Sequence, residues 1–291
     1  MMQFLYKLLG LKKGEPDAEL PAAKEVDGPL PRLKAGWATD VGIVRSHNED
    51  AVLVITASHD GDGAMPPLGL FVLADGMGGH QSGEVASSLA ARAVAHQITR
   101  DFYLPALISQ GPDTSRPDLK DVLVEAVRAA NDSVADRVPG GGTTLTCALV
   151  LESRAYIAHV GDSRAYIVTA EGELDQITHD HSLVDRLVEL GQLTRDEAAV
   201  HPQKNVLYRA VGQGGELEVD TYTRTIGVGA RLLLCSDGLW GIVAEAKMAE
   251  IVMNSPSPQV ACERLVVAAN AAGGRDNITA ILVEPPASSG R

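Results

Sequence analysis

The order of apolar runs along this chain of 291 residues predicts an α+β sheet sandwich. Three observations carry that expectation. Short runs rich in Val, Ile, Leu, Thr and Tyr, bounded by Gly, Asp or Ser, come in blocks. Two helix-patterned stretches stand together between the blocks, with strand-like runs resuming after them. The regular strand–helix alternation of a doubly wound parallel sheet is missing.

Taken in chain order, MMQFLYKLLGLKKG opens with an apolar stretch that is short, Lys-interrupted and without a convincing cleavage site. It reads as a frayed tail or as a small amphipathic helix that touches a partner or a membrane surface. Residues 14–36, rich in Pro, Gly and charge, read as a linker. This divides the chain into a tail and linker (1–35), one catalytic domain (36–286) and a short C-terminal tail (287–291). Strand-like runs follow at 37–44, 51–57 and 68–74. Helical spacing covers 83–100 and 119–137, the second capped by Asp118 or Ser115, with 109–118 as a loop between them. Further strand-like runs lie at 143–151, 154–160, 164–169, 217–225, 231–235 and 278–284. YIAHVGDSRAYIV reads as a hairpin around Gly161, Asp162 and Ser163. Residues 181–215 read as an excursion with a short helix at 182–190, started by Asp180 or Ser182. A last helix covers 258–272, capped by Ser257 or Ser255. Gly140, Gly141 and Gly142 precede a strand, so they fit a tight strand entry and fail the context of a phosphate-cradling loop.

Composition narrows the function. Hydrophobic residues make up 45% and aromatic residues 4%, so the core rests on aliphatic side chains. The net charge of −13 argues against a broad nucleic-acid-binding surface. Residues 1–34 carry six basic and five acidic residues, so the rest of the chain holds the acidic excess. Cys147, Cys235 and Cys262 are far apart, the first two inside apolar runs, which fits a reducing cytoplasm. No apolar run reaches membrane-spanning length.

The strongest chemical signal is an acidic residue repeated where apolar runs meet loops. LGLFVLAD ends at Asp75, AYIAHVGD at Asp162 and RLLLCSD at Asp237, while Asp50 opens DAVLVI and Asp276 opens DNITAILV. One such Asp is an ordinary turn former. Five at one sheet edge repel each other unless a cation neutralises them. All-oxygen ligation selects Mg²⁺, Mn²⁺ or Ca²⁺. Zinc and EF-hand spacings are missing. Carboxylates holding two hard cations suit phosphate-ester hydrolysis. Arg45, five residues before Asp50, either grips a phosphoryl group bidentately or pairs with Glu49 or Asp50.

These residues fall in RSHNED (45–50), VLADGMGGH (72–80), GGTT (141–144), VGDSRAY (160–166), THDHSL (178–183), LLLCSDGLW (232–240) and GGRDNIT (273–279). In that order they resemble the metal-dependent protein serine/threonine phosphatases of type 2C, over roughly residues 36–284. The resemblance implies a four-layer αββα sandwich, two antiparallel sheets flanked by helices, with a dimetal Mg²⁺ or Mn²⁺ centre at one edge. Matched position by position, Asp75 bridges both metals and the Gly76 carbonyl ligates one. Asp237 and Asp276 ligate the other, and Glu49 and Asp50 hold metal-bound waters. Arg45 binds the substrate phosphate. Asp162 with Asp237 matches a third, weaker metal of bacterial-type members. Residues 181–215 become a flap beside the active site, within which HPQKN (201–205) and the following LYRAVG look family-like.

The implied activity is hydrolysis of phosphoserine and phosphothreonine on proteins by a metal-activated water, in a bacterial cytoplasm, with phosphorylated proteins such as serine/threonine kinases as partners. No Cys-x5-Arg nucleophile motif supports a covalent route. One position departs from many eukaryotic relatives: where they carry a His proposed as general acid, this chain has Met77, which cannot donate a proton. That matches the bacterial branch and leaves the acid open between His80, three residues on, and a metal-bound water near Asp162. His47, His179 and His181 lack transition-metal spacing and read as structural or cleft-lining. Two other readings stand beside this one: a catalytically silent phosphoprotein-binding module, and a dimetal phosphoesterase acting on small molecules.

Overall fold

A computed structural model describes residues 32–58, 66–78, 81–108 and 118–286. The N-terminal amphipathic stretch, the candidate cap Ser115, His80 and the C-terminal tail lie outside those residues. Two sheets form, every strand pairing antiparallel. One runs β1 (Lys34–Asp40), β11 (Ile278–Glu284), β10 (Arg231–Cys235), β7 (Arg164–Val168), β8 (Leu174–Gln176). The other runs β2 (Asp50–Ala57), β3 (Leu68–Met77), β5 (Leu145–Leu151), β6 (Arg154–Val160), β9 (Asp220–Thr225), with β4 (Gly142–Thr143) on the end of β3.

Three apolar layers hold four layers of structure together. Along β3 the period of two sends Phe71 and Leu73 between the sheets, with Ile157, Ile167, Leu232, Leu234 and Ile281. Leu70 and Val72 point the other way, onto helices α1 (Gln81–Ile98) and α3 (Leu119–Arg137). Beyond a π-helical turn at Thr99–Tyr103, α1 continues as the short α2 (Leu104–Ile108). On the far side Leu233, Cys235 and Leu282 meet α6 (Asp237–Trp240), α7 (Glu245–Met253) and α8 (Pro258–Ala271). Buried on both faces, β3 and β5 read as near-continuous apolar runs instead of alternating ones. The remaining helices, α4 (Leu183–Glu189) and α5 (Arg195–Ala199), belong to residues 181–215.

The expected caps form. Asp118 accepts from the Lys120 N–H, Ser182 from Asp185 and Ser257 from Val260. Strand bounds shift by a few residues. The first strand starts at Lys34, inside the stretch read as linker, because Lys34 pairs with Glu284 and β1 zips along β11 to Asp40. It stops there because Gly42, at φ +80°, turns the chain.

One expectation is corrected. β6 and β7 do not form a hairpin: β6 pairs with β5 and β9 in one sheet, and β7 with β10 and β8 in the other. The Gly161–Ser163 link crosses between sheets, with Gly161 at φ +111°, where a Cβ would collide with Thr144 at 2.6 Å. The crossing carries Asp162 to the edge of the sandwich.

A carboxylate centre at the sandwich edge

Strand register brings the predicted acids together. Asp50 on β2 and Asp75 on β3 are direct cross-strand partners. Like charges at that spacing are destabilising without compensation. Asp237 opens α6 straight after β10, Asp276 sits just before β11, and Asp162 lies on the crossover.

The electrostatics follow from crowding. Desolvation, then repulsion from Asp50, Asp237, Asp162 and Asp276, pushes the Asp75 carboxyl well above the ordinary carboxylate range. Asp237 is raised in the same way, by desolvation and then by Asp162, Asp276 and Asp50. Desolvation lifts Asp50 to about 6 and Asp162 to about 7.

Backbone and hydroxyl groups lock this arrangement. The Asp75 N–H donates to Thr144 Oγ1 (3.0 Å), and the Asp75 carbonyl accepts from the Thr144 N–H (2.8 Å) and from Thr143 Oγ1 (2.9 Å). Thr279 Oγ1 (2.6 Å) and Ser236 Oγ (3.0 Å) donate to Asp50 Oδ2, while Asp50 Oδ1 is buried with no hydrogen-bond partner. Asn277 ties the approach loop down: its Oδ1 accepts from the Glu49 N–H, and its Nδ2 donates to the Val41 and His47 carbonyls. Gly76 is packed so tightly that a Cβ would stand 2.3 Å from the Gly83 carbonyl oxygen and 2.6 Å from that of Glu49. A Cβ on Gly83 would strike the Glu49 carboxylate itself. Both glycines therefore permit the close approach that puts the acids side by side.

Arg45 reaches the centre from the β1–β2 loop and donates to Asp276 Oδ2 at 2.7 Å, with its side chain half exposed. That bond raises the guanidinium pKa further. Its ion-pair partner is thus Asp276, not the alternative partners Glu49 or Asp50 that the sequence offered beside phosphate binding. Asp50 Oδ2 takes its bonds from the Ser236 and Thr279 hydroxyls, while Arg45 bonds to Asp276.

A cavity of about 680 Å³ opens over this centre. Arg45, Asp162, Asp237 and Asp276 line its floor, and residues 182–205 supply another wall. Trp240 anchors the rim. Its Nε1 donates to the Asp162 carbonyl (3.0 Å), and the Arg164 guanidinium lies 3.5 Å over its ring, gripped from the side by Asp180. His181 is buried within the fold, and so is His159, to which the sequence drew no attention. The Gly161 N–H donates to His181 Nδ1, and burial pushes His159 down to about 3. Sequence reasoning assigned no role to Thr143, Thr144, Ser236, Asn277, Thr279, Arg164 or Trp240.

The donor set is all oxygen, which suits hard cations. Among the described residues no three acidic, His or Cys side chains close into a cage for one ion. Magnesium-type ions do not require one, since they keep several waters and take one or two carboxylates. The orphaned Asp50 Oδ1 and the mutually repelling Asp75 and Asp237 fit such ions.

Comparison with known proteins identifies the family. The sequence model of the protein phosphatase 2C family matches residues 44–271. The serine/threonine phosphatase stp of Listeria welshimeri is 37% identical over 253 residues, covering 87% of this chain and 96% of its own. The serine/threonine protein phosphatase PstP of Mycobacterium tuberculosis is 38% identical over 258 residues, covering 87% of this chain and 45% of its own. A crystal structure of that phosphatase superposes with a TM-score of 0.71 at 36% identity, covering 87% of this chain and 99% of the solved one. A second structure, the PstP catalytic domain in complex with two manganese ions, gives 0.68 at 36% identity, covering 87% and 97%.

Proposed function

This chain belongs to the protein phosphatase 2C family and is a metal-dependent protein serine/threonine phosphatase, and on that premise we propose which residues do the work. Asp75, the Gly76 carbonyl, Asp237 and Asp276 would hold two Mg²⁺ or Mn²⁺ ions, Asp75 serving both, Gly76 one, and Asp237 and Asp276 the other. Glu49 and Asp50 would hold waters at the ions, and Asp162 with Asp237 would form a third, weaker site. One observation carries the assignment: Asp50 and Asp75 face each other across a strand pair while Asp237 and Asp162 press on the same pocket. A bound cation offsets that repulsion without protonating the acids.

When bound, the ions supply an activated water and neutralise charge on the phosphoryl oxygens. The chain's own residues orient and restrain. Thr143 and Thr144 fix the Asp75 backbone, and Ser236 and Thr279 fix Asp50. Arg45 is half exposed and held by one bond, so it exchanges Asp276 for the substrate phosphoryl group. Met77 lies two residues beyond Asp75 on β3 and brings no proton. Phosphorylated proteins are the substrates, with serine/threonine kinases as the proposed partners. Three cysteines, all free and buried, support a cytoplasmic setting.

The test is hydrolysis with Mn²⁺ of phosphoserine, phosphothreonine and phosphotyrosine peptides in parallel. Release of phosphate from the first two, lost in chelator, is expected. No hydrolysis, or equal hydrolysis in chelator, overturns the reading and favours a silent binding module or another chemistry.

A further inference from the structure

The cavity is larger than one phosphorylated side chain requires. At about 680 Å³ it falls in the range that houses a drug-sized ligand, so it takes in several atoms beyond the scissile phosphate. Its walls also carry cations that the catalytic reading leaves unused. Five basic side chains line it. Arg164 is committed to Asp180 by hydrogen bonds of 3.0, 3.1 and 2.7 Å, and Arg45 to Asp276. The other three, Arg195, Lys204 and Arg275, are exposed, and among the described residues their side chains make no hydrogen bond or ion pair. Asp185 feels the charge of Arg195, but no ion pair joins them.

The three cations come from opposite sides. Arg195 starts α5 and Lys204 follows it, both within residues 181–215, while Arg275 stands beside Asp276 in the loop before β11. Ala198 and Ala199, small and between the two flap cations, leave room for a ligand. Three solvated cations around one concavity form a receptor for a compact multivalent anion, which Arg grips with paired N–H donors.

We propose that Arg195, Lys204 and Arg275 form a second anion subsite, which binds a further phosphoryl or carboxylate group of the substrate while the first occupies the carboxylate centre. The subsite rests on the phosphatase reading above and adds to it a preference for doubly phosphorylated or acid-rich segments. The cations are exposed, so each contributes modestly, and together they raise kcat/KM by roughly three- to tenfold.

The experiment uses the full chain with Mn²⁺ and three peptides of one sequence. One carries a single phosphothreonine, one a second phosphothreonine nearby, and one a glutamate at that second place. A higher kcat/KM for the peptides with a second anion is expected in the unaltered enzyme, falling with salt. Arg195→Gln combined with Lys204→Gln abolishes most of that gain, while hydrolysis of p-nitrophenyl phosphate stays within about twofold because no distal group is present. Arg275→Gln reports the third cation against the same small-substrate control. A gain with phosphothreonine but not glutamate assigns the subsite to phosphate, and equal gains assign it to anions in general. Equal kcat/KM for all three peptides, or a gain that survives the double variant, overturns the subsite and leaves the phosphatase reading intact. Failure to hydrolyse any peptide or p-nitrophenyl phosphate overturns the phosphatase reading itself.

Discussion

Removing the Asp180 carboxylate tests how the cavity rim is held. Asp180 is 6% exposed and takes three hydrogen bonds from Arg164, whose side chain is 19% exposed. Asp180→Ala therefore strands a guanidinium in a mostly dry setting. Breaking a buried pair by deleting one partner costs about 3–5 kcal/mol. Arg164 keeps the Tyr166 hydroxyl (3.1 Å) and the Trp240 ring (3.5 Å), so the lower end, about 3 kcal/mol, applies. At about 2–4 °C per kcal/mol for a domain of this size, Tm falls by about 6–12 °C.

The assay is urea denaturation and calorimetry in chelator, so that metal binding does not contribute to apparent stability. The midpoint shift is the quantity compared, with an unchanged denaturant slope confirming that only stability moved. Asp180→Asn, which keeps one acceptor, falls between. Arg164→Met with Asp180→Leu removes both charges and returns to within about 1 kcal/mol of the unaltered chain, because apolar replacements of buried pairs are often neutral or stabilising. A loss below about 1 kcal/mol in Asp180→Ala is what a solvated surface pair gives and refutes the burial argument. So does a double variant as unstable as the single one.

Four further outcomes follow from the same geometry. Asp75→Ala and Asp237→Ala each abolish Mn²⁺-dependent hydrolysis of a phosphothreonine peptide, by at least about 10³-fold given the several kcal/mol such ions supply; retained activity in either variant sinks the two-metal assignment. Asp162→Ala lowers turnover while two ions still bind, as read by calorimetric Mn²⁺ titration; unchanged kinetics across that titration removes any role for a third ion. Met77 shares a strand face with Asp75, so Met77→His adds an ionisation to the acidic limb of the kcat profile, and an unaltered limb shows the position does not face the leaving group. Burial holds His159 at about 3, so below the unfolded value near 6.5 the unfolded chain takes up a proton that the folded chain refuses. Stability is thus lost as pH falls from about 6.5 towards 3, by up to about 1.4 kcal/mol per unit, and His159→Gln narrows its deficit across that window; parallel curves for the two proteins refute the assignment.

The sequence displayed the clustered acids because each interrupts an apolar run, and a charge at the end of a buried strand stands out against Val, Leu and Ile. The same contrast hid the residues that hold them. Thr144, Ser236 and Thr279 sit in strand ends and links where a β-branched or small polar residue passes as ordinary, and Asn277 follows an Asp already claimed by the motif. A usable signal existed: each lies within three residues of a proposed ligand or bonds across to one, at a site too buried for an idle polar group. The hairpin error has a different cause. Neighbouring strands pair in sequence order often enough to make β6–Gly161–β7 look local, but partner choice in a sandwich is decided by which sheet has an open edge. Here β6 is already flanked by β5 and β9, so the chain has to leave the sheet at Gly161. That forced exit connects fold to chemistry. A hairpin would have left Asp162 on an exposed turn of one sheet. The crossover instead places it beside Trp240 and Asp237, where desolvation and charge already bear on one another. The carboxylate centre is therefore a property of the join between the two sheets, and substitutions that loosen the join, Gly161→Ala among them, disturb the centre without touching a ligand.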